Sequence, residues 1–136
     1  MQWLNRQTGV EHLPFIDREH DLYSAASVLV VWSAKKFGLI NRTLRAMAAG
    51  TVVVGNDGAF NGIEGFVHGK HGLLVSSLDG IADTLSDILG GRVDGAQIAS
   101  AARQLVRDQY TWENCFGQAL RLIGDGLPMS ATDEKK

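Results

Sequence analysis

The chain has 136 residues, 45% of them hydrophobic and 21% charged, and a formal net charge of −2. That length suits one domain and is short for two, and that balance excludes a disordered chain. Acids and bases are interspersed, so electrostatics give no reason to expect nucleic acid or an anionic membrane as partner.

From the amino end, Met1 to Arg6 lacks the basic region and apolar stretch of a secretory leader. The longest apolar run, Val28 to Trp32, is a strand's length and not a membrane span's. A cytoplasmic protein is therefore the expectation. Val10 to Ile16 reads as a first strand, placed at an edge or a strand end because Pro14 has no N–H to donate. Asp17 can cap a helix to about Ala26, with Glu19 in its first turn and Leu22, Tyr23 and Ala26 on one face. Ser27 to Trp32 and Thr51 to Gly55 are continuous apolar runs, the pattern of strands covered on both faces. Between them, Asn41 to Ala49 predicts a helix ended by Gly50 in the left-handed position.

Asn56 to Gly72 differs in kind. It carries Gly58, Gly62, Gly65, Gly69 and Gly72 with Asn56, Asp57 and Asn61, and predicts a long loop with one helical turn. Loops of that length in a compact domain are usually functional or mobile. Gly72 to Val75 reads as a short last strand. Helices follow over about Leu78–Leu89, Gln97–Arg107 and Trp112–Ile123, with Gly90-Gly91 between the first two and Thr111 capping the last. Residues 1–123 are expected to form the domain and 124–136 a flexible tail. Short β-branched runs alternating with longer helical ones predict an α/β fold, a Rossmann-like parallel sheet of about four strands flanked by helices.

Cys115, the chain's single cysteine, cannot form an internal disulfide. Its helical spacing from its apolar neighbours predicts a buried, inert thiol. His68 and His71 have loop spacing, while His12 and His20 are isolated, so no metal site is expected.

In an open parallel sheet, ligands sit beyond the carboxyl ends of the strands. Two loops meet that condition, Ser33–Ile40 and Gly55–Gly65. The first holds Lys35 and Lys36, then Gly38, Leu39 and Ile40, and runs straight into the helix at Asn41. A helix start offers unpaired amide donors and partial positive charge, which suits a phosphate, and Gly38 lets the backbone approach closely. Asn41 can equally cap the helix or touch the ligand. Ala46 and Met47 belong to the core.

The run GLINRTLRAMAAGTVVVG over residues 38–55 resembles the donor-binding signature of the large retaining glycosyltransferase family of GT-B architecture, in which an "EAMAxGxPVV" helix and strand follow a glycine-led phosphate loop. Further similarities come in order. Ala59-Phe60-Asn61-Gly62-Ile63 resembles "gaeGi", residues 68–75 resemble "dGenGllv", and Tyr110-Thr111-Trp112 resembles "fsW". Upstream, Leu13–Ile16 resembles "flGfv" and Tyr23–Val28 resembles "yyaaadv". The resemblance covers about residues 10–123. It implies half of a GT-B C-terminal domain, contributing the donor site for transfer of a sugar from a UDP- or GDP-linked nucleotide sugar, with no cofactor and no metal. The amides of Gly38, Leu39 and Ile40, with Asn41 and Arg42, would face the diphosphate or sugar. Arg45 would meet the ribose, and the loop with Gly58 and Phe60 would border the interdomain cleft.

Two departures qualify that implication. The family usually carries two glutamates eight positions apart, where this chain has Phe37 and Arg45. A carboxylate accepts two hydrogen bonds from ribose hydroxyls and a guanidinium only donates, so Arg45 would pair with a phosphate or a ribose oxygen instead. Gly38, Leu39, Asn41, Arg42 and Leu44 do match a subgroup reading "G-[IL]-x-N-[KR]-x-L-E-A-M-A". The family's acceptor domain, and two donor-domain strands carrying a basic pair, have no counterpart here. The chain then corresponds to a truncated gene, an excised piece or one part of a split enzyme, inactive alone because two bound substrates must both be held. Either Val10–Ile16 pairs with Val28–Trp32, or a sheet edge stays open to a partner chain or oligomer. The alternative is a catalytically inactive nucleotide-sugar-binding or scaffold module of the same fold. A dinucleotide-binding or flavodoxin-like domain is disfavoured, since no strand is followed by G-x-G-x-x-G.

Overall fold

The computed structural model describes residues 7–13, 15–34 and 38–126. The elements run α1 (Glu19–Ala25), β1 (Val28–Val31), α2 (Asn41–Ala49), β2 (Val52–Gly55), α3 (Asp57–Phe60), β3 (Leu73–Leu74), α4 (Leu78–Leu89), α5 (Gly95–Gln109) and α6 (Trp112–Gly126). The fold is α/β, with a parallel sheet in the order β1-β2-β3. Val28 to Val31 register with Val52 to Gly55, and Val54 and Gly55 with Leu73 and Leu74.

The central strand explains its own composition. β2 is buried at every position, and alternate side chains enter opposite faces of a sheet. Val53 packs with Tyr23, Ala46, Met47, Phe60, Ala102 and Leu105. Val52 and Val54 pack on the other face with Leu73, Ile98 and Ala99, supported by Leu85 and Ile88 of α4. α5 serves both cores, because its apolar positions span more than one narrow stripe. Helices on both faces account for a strand with no polar alternation.

α2 has the bounds its sequence predicts. Gly50 adopts φ +85°, and the Thr51 N–H returns to the Ala46 carbonyl at 3.0 Å, satisfying one of the last open carbonyls. Gly91 turns at φ +73° between α4 and α5, and the Thr111 hydroxyl accepts from the Asn114 N–H at 3.3 Å at the start of α6. α1 begins later than expected. Its cap position is Arg18 and not Asp17, with no side-chain cap bond.

The first expected strand does not form. Val10 to Leu13, Phe15 and Ile16 carry no strand structure, and Val10, Leu13 and Phe15 are exposed. Pro14 lies outside the described residues. Instead of adding to the sheet, Phe15 and Ile16 turn toward α1 and α2, where they line a groove. The outer edge of β1 therefore has no partner strand among the described residues, and Val30 is 41% exposed.

Two expectations at the carboxyl end also change. The helix α6 continues to Gly126, past the expected start of a tail at 124; residues 127–136 lie outside the described residues. Cys115 is exposed and not buried. The reason is that α6 leaves its apolar stripe uncovered: Trp112, Phe116, Leu120 and Ile123 are all exposed, with Trp112 and Phe116 stacked at 6.0 Å.

Candidate functional site

The start of α2 lies in the loop that follows β1, at the carboxyl end of the sheet. Ile40 occupies the cap position with φ −90° and ψ 105° and supplies no side-chain cap bond. Asn41 is thus the first helical residue and not the cap, which corrects one of its two expected roles. The Thr43 and Leu44 amides both bond to the Ile40 carbonyl. The Asn41 and Arg42 amides have no acceptor among the described residues, as the first turn of a helix dictates.

Three contacts fix this tip. The Thr43 hydroxyl, fully buried, donates to the Ala59 carbonyl at 2.9 Å, tying the first turn of α2 to α3. Gly62, at φ +80°, lies against the Gly38–Leu39 backbone; a Cβ there would stand 3.2 Å from the Leu39 nitrogen. Only glycine suits both that conformation and that approach. Ile40 packs on the core shared by Met47 and Val53. Gly38, at φ +53°, and Leu39, Asn41 and Arg42 remain exposed around the tip.

The loops after β1 and β2 are joined a second time by Asn56. Its side-chain carbonyl accepts from the Ser33 N–H at 3.0 Å, and its amide donates to the Ser33 carbonyl at 2.7 Å. Beside this clip, Trp32, Asn56, Asp57, Leu74, Val75 and Ser76 line a crevice of about 360 Å³ at the ends of all three strands. Sequence reasoning assigned no role to Asn56 or Trp32. The position of each directly after an apolar strand was the available signal.

Other expected site residues move. Gly58 and Phe60 are buried in α3, with Phe60 stacked on Phe66 at 4.1 Å. An aromatic ring next to a short helical turn finds more apolar contact inward than outward. Arg45 is engaged by Glu19 of α1, whose Oε2 accepts from its guanidinium at 2.5 Å. Both side chains remain well exposed and line a groove of about 620 Å³ with Phe15, Ile16, Tyr23 and Ala48. Phe37, Lys35 and Lys36 lie outside the described residues.

The glycine-rich loop holds one perturbed base. The buried His71 accepts the Val67 N–H on its Nδ1 at 3.1 Å. Burial, with the neighbouring Lys70 charge adding to it, lowers its pKa from the ordinary histidine value.

The sequence of residues 1–90 matches the family described as "Glycosyl transferases group 1". The chain belongs to the group 1 glycosyltransferases. No curated protein matches it at a significant level. The region in which this glycosyltransferase chain matches its family contains all three strands and the whole α2 tip. α5 and α6 lie beyond it. Among the described residues no helix is long and apolar enough to cross a membrane.

Proposed function

We propose that this glycosyltransferase chain supplies the nucleotide-sugar donor site of a GT-B enzyme, with the donor diphosphate seated on the tip of α2. The observation that carries this reading is the exposed helix start. Gly38 delivers the chain into α2, Gly62 and Thr43 hold the backbone in place, and the Asn41 and Arg42 amides lack acceptors among the described residues. Fixed donors aimed at an anion stabilise a leaving diphosphate without reorganisation. The Arg42 guanidinium, on an exposed residue beside those amides, adds a cation with a planar fork of donors. The acceptor would be held by another domain or chain, and the open edge of β1 supports completion of the sheet by a further strand.

Proline at position 41 tests the amide directly. Proline fits the first position of a helix, and Ile40 already has the extended backbone that a following proline requires. Asn41→Pro should therefore leave the melting temperature nearly unchanged. It should weaken UDP or GDP binding about tenfold, the value of one hydrogen bond to a charged group. Unchanged affinity for both nucleotides in a folded variant would remove the tip as the phosphate site.

A further inference from the structure

The crevice at the ends of the three strands is built differently from the α2 tip. Trp32 directly follows β1 and is 42% exposed, whereas tryptophan in folded proteins is on average highly buried. Its ring stacks on no other aromatic among the described residues, and its indole N–H has no acceptor there. Leu74 and Val75 line the same crevice with two polar side chains, Asp57 and Ser76. The exposed Ser76 hydroxyl has no partner among the described residues. The Asp57 carboxylate has about four lone-pair sites, so a bond within the domain still leaves it able to accept.

Asn56 holds these walls together. Both polar atoms of its side chain bond to the Ser33 backbone, which ties the chain after Trp32 to the start of α3. The Val75 N–H donates to the Gly55 carbonyl at 2.9 Å, which fixes the third wall to the end of β2. Aromatic, aliphatic and polar groups thus meet beyond three strand ends, where an open parallel sheet binds its ligands.

The chemistry of the lining selects among ligands. A carboxylate beside the ring disfavours a diphosphate, so a neutral occupant fits better. The volume of about 360 Å³ is at the lower end of the range for small-molecule sites, roughly 300–1,000 Å³. A pyranose ring has an apolar patch of C–H groups, and each of its hydroxyls both donates and accepts. The indole face takes the patch, while the indole N–H, Ser76 and Asp57 take the hydroxyls.

We propose that this crevice is a carbohydrate subsite, in which a neutral pyranose ring of the acceptor lies on Trp32 with its hydroxyls on Asp57 and Ser76. The rest of the acceptor stays with the other domain or chain. The inference goes beyond the diphosphate reading of the α2 tip and needs nothing from it.

The test follows the Trp32 indole N–H of the full chain by NMR as methyl glycosides of glucose, galactose and mannose are added. The chain has three tryptophans, and the Trp32→Phe spectrum identifies the signal by its loss. At least one glycoside should shift it saturably in the millimolar range expected of one small ring, together with the Asp57 and Ser76 amides. Glycerol, a polyol without a ring face, should not. Asp57→Asn should weaken the glycoside about tenfold, as for a hydrogen bond to a charged group. Trp32→Ala should abolish saturation at the Ser76 amide, and Trp32→Phe, which keeps a ring, should only weaken it. Trp32 and Asp57 are exposed, so the variants should fold, as thermal melts will check. A Trp32 signal unmoved by all three glycosides overturns the inference. So does an equal response to glycerol or uridine, or unchanged affinity in Asp57→Asn. Displacement of the glycoside by a UDP-linked sugar would give the crevice to the donor and overturn it as well. UDP itself is read at Gly38 to Arg45, so the two readings fail separately.

Discussion

Single residues in this domain act through what they hold in place. Thr43 donates its hydroxyl to the Ala59 carbonyl, which links the first turn of α2 to the helix after β2. Met47, directly beneath, is fully buried. Arg45 and Glu19 form an exposed pair, whose contribution to stability is small, so its arrangement matters more for what it presents. His71 gives a pH prediction. The unfolded chain takes up a proton on this imidazole at the ordinary value, about 6.5, whereas burial and Lys70 delay it in the native state. The unfolded state therefore binds more protons as pH falls below that value, and stability declines with it before levelling off below the native pKa. Asp108 lines the same groove as Lys70 and His71. Thermal melts between pH 5 and 7.5 should show the parent losing stability on acidification more steeply than His71→Asn. Parallel curves would show that His71 carries no such linkage.

Elements with their own stop signals and two covered faces were legible in the sequence. α2 runs from Asn41 to Ala49 as its pattern and Gly50 dictate, and β2 lies where four apolar residues leave no polar face. α3 occupies the expected single turn in the glycine-rich loop. The segment Val10–Ile16 was misread because apolar residues in a short segment record a demand for burial, not whether a neighbouring strand exists to bond with. The burial of Phe60 was not legible for a related reason: a loop resemblance fixes position along the chain and says nothing about which way a ring turns. Asn56 was passed over because its clip to Ser33 spans 23 residues, beyond any local pattern. The open edge of β1 makes its own prediction. Val30→Lys should cost little in the isolated chain, under about 0.5 kcal/mol as for other surface substitutions, and denaturant unfolding will measure it. A loss of several kcal/mol would mean that this edge is covered in solution.

At the scale of the whole molecule, one arrangement joins the family to its chemistry. A parallel sheet covered on both faces brings the ends of β1, β2 and β3 together. The loops leaving β1 and β2 are then fastened at Asn56 with Ser33, at Gly62 with Leu39, and at Thr43 with Ala59. That leaves the start of α2 exposed, where the donor diphosphate is proposed to sit. Among the described residues, the apolar stripe of α6 is exposed and the outer edge of β1 has no partner strand. The most direct measurement is a titration with UDP and GDP followed by amide chemical shifts of the full chain. The account predicts saturable shifts centred on Gly38 to Arg45, with the α4 amides unmoved. Shifts that saturate elsewhere and leave Gly38 to Arg45 unchanged at millimolar nucleotide would contradict it.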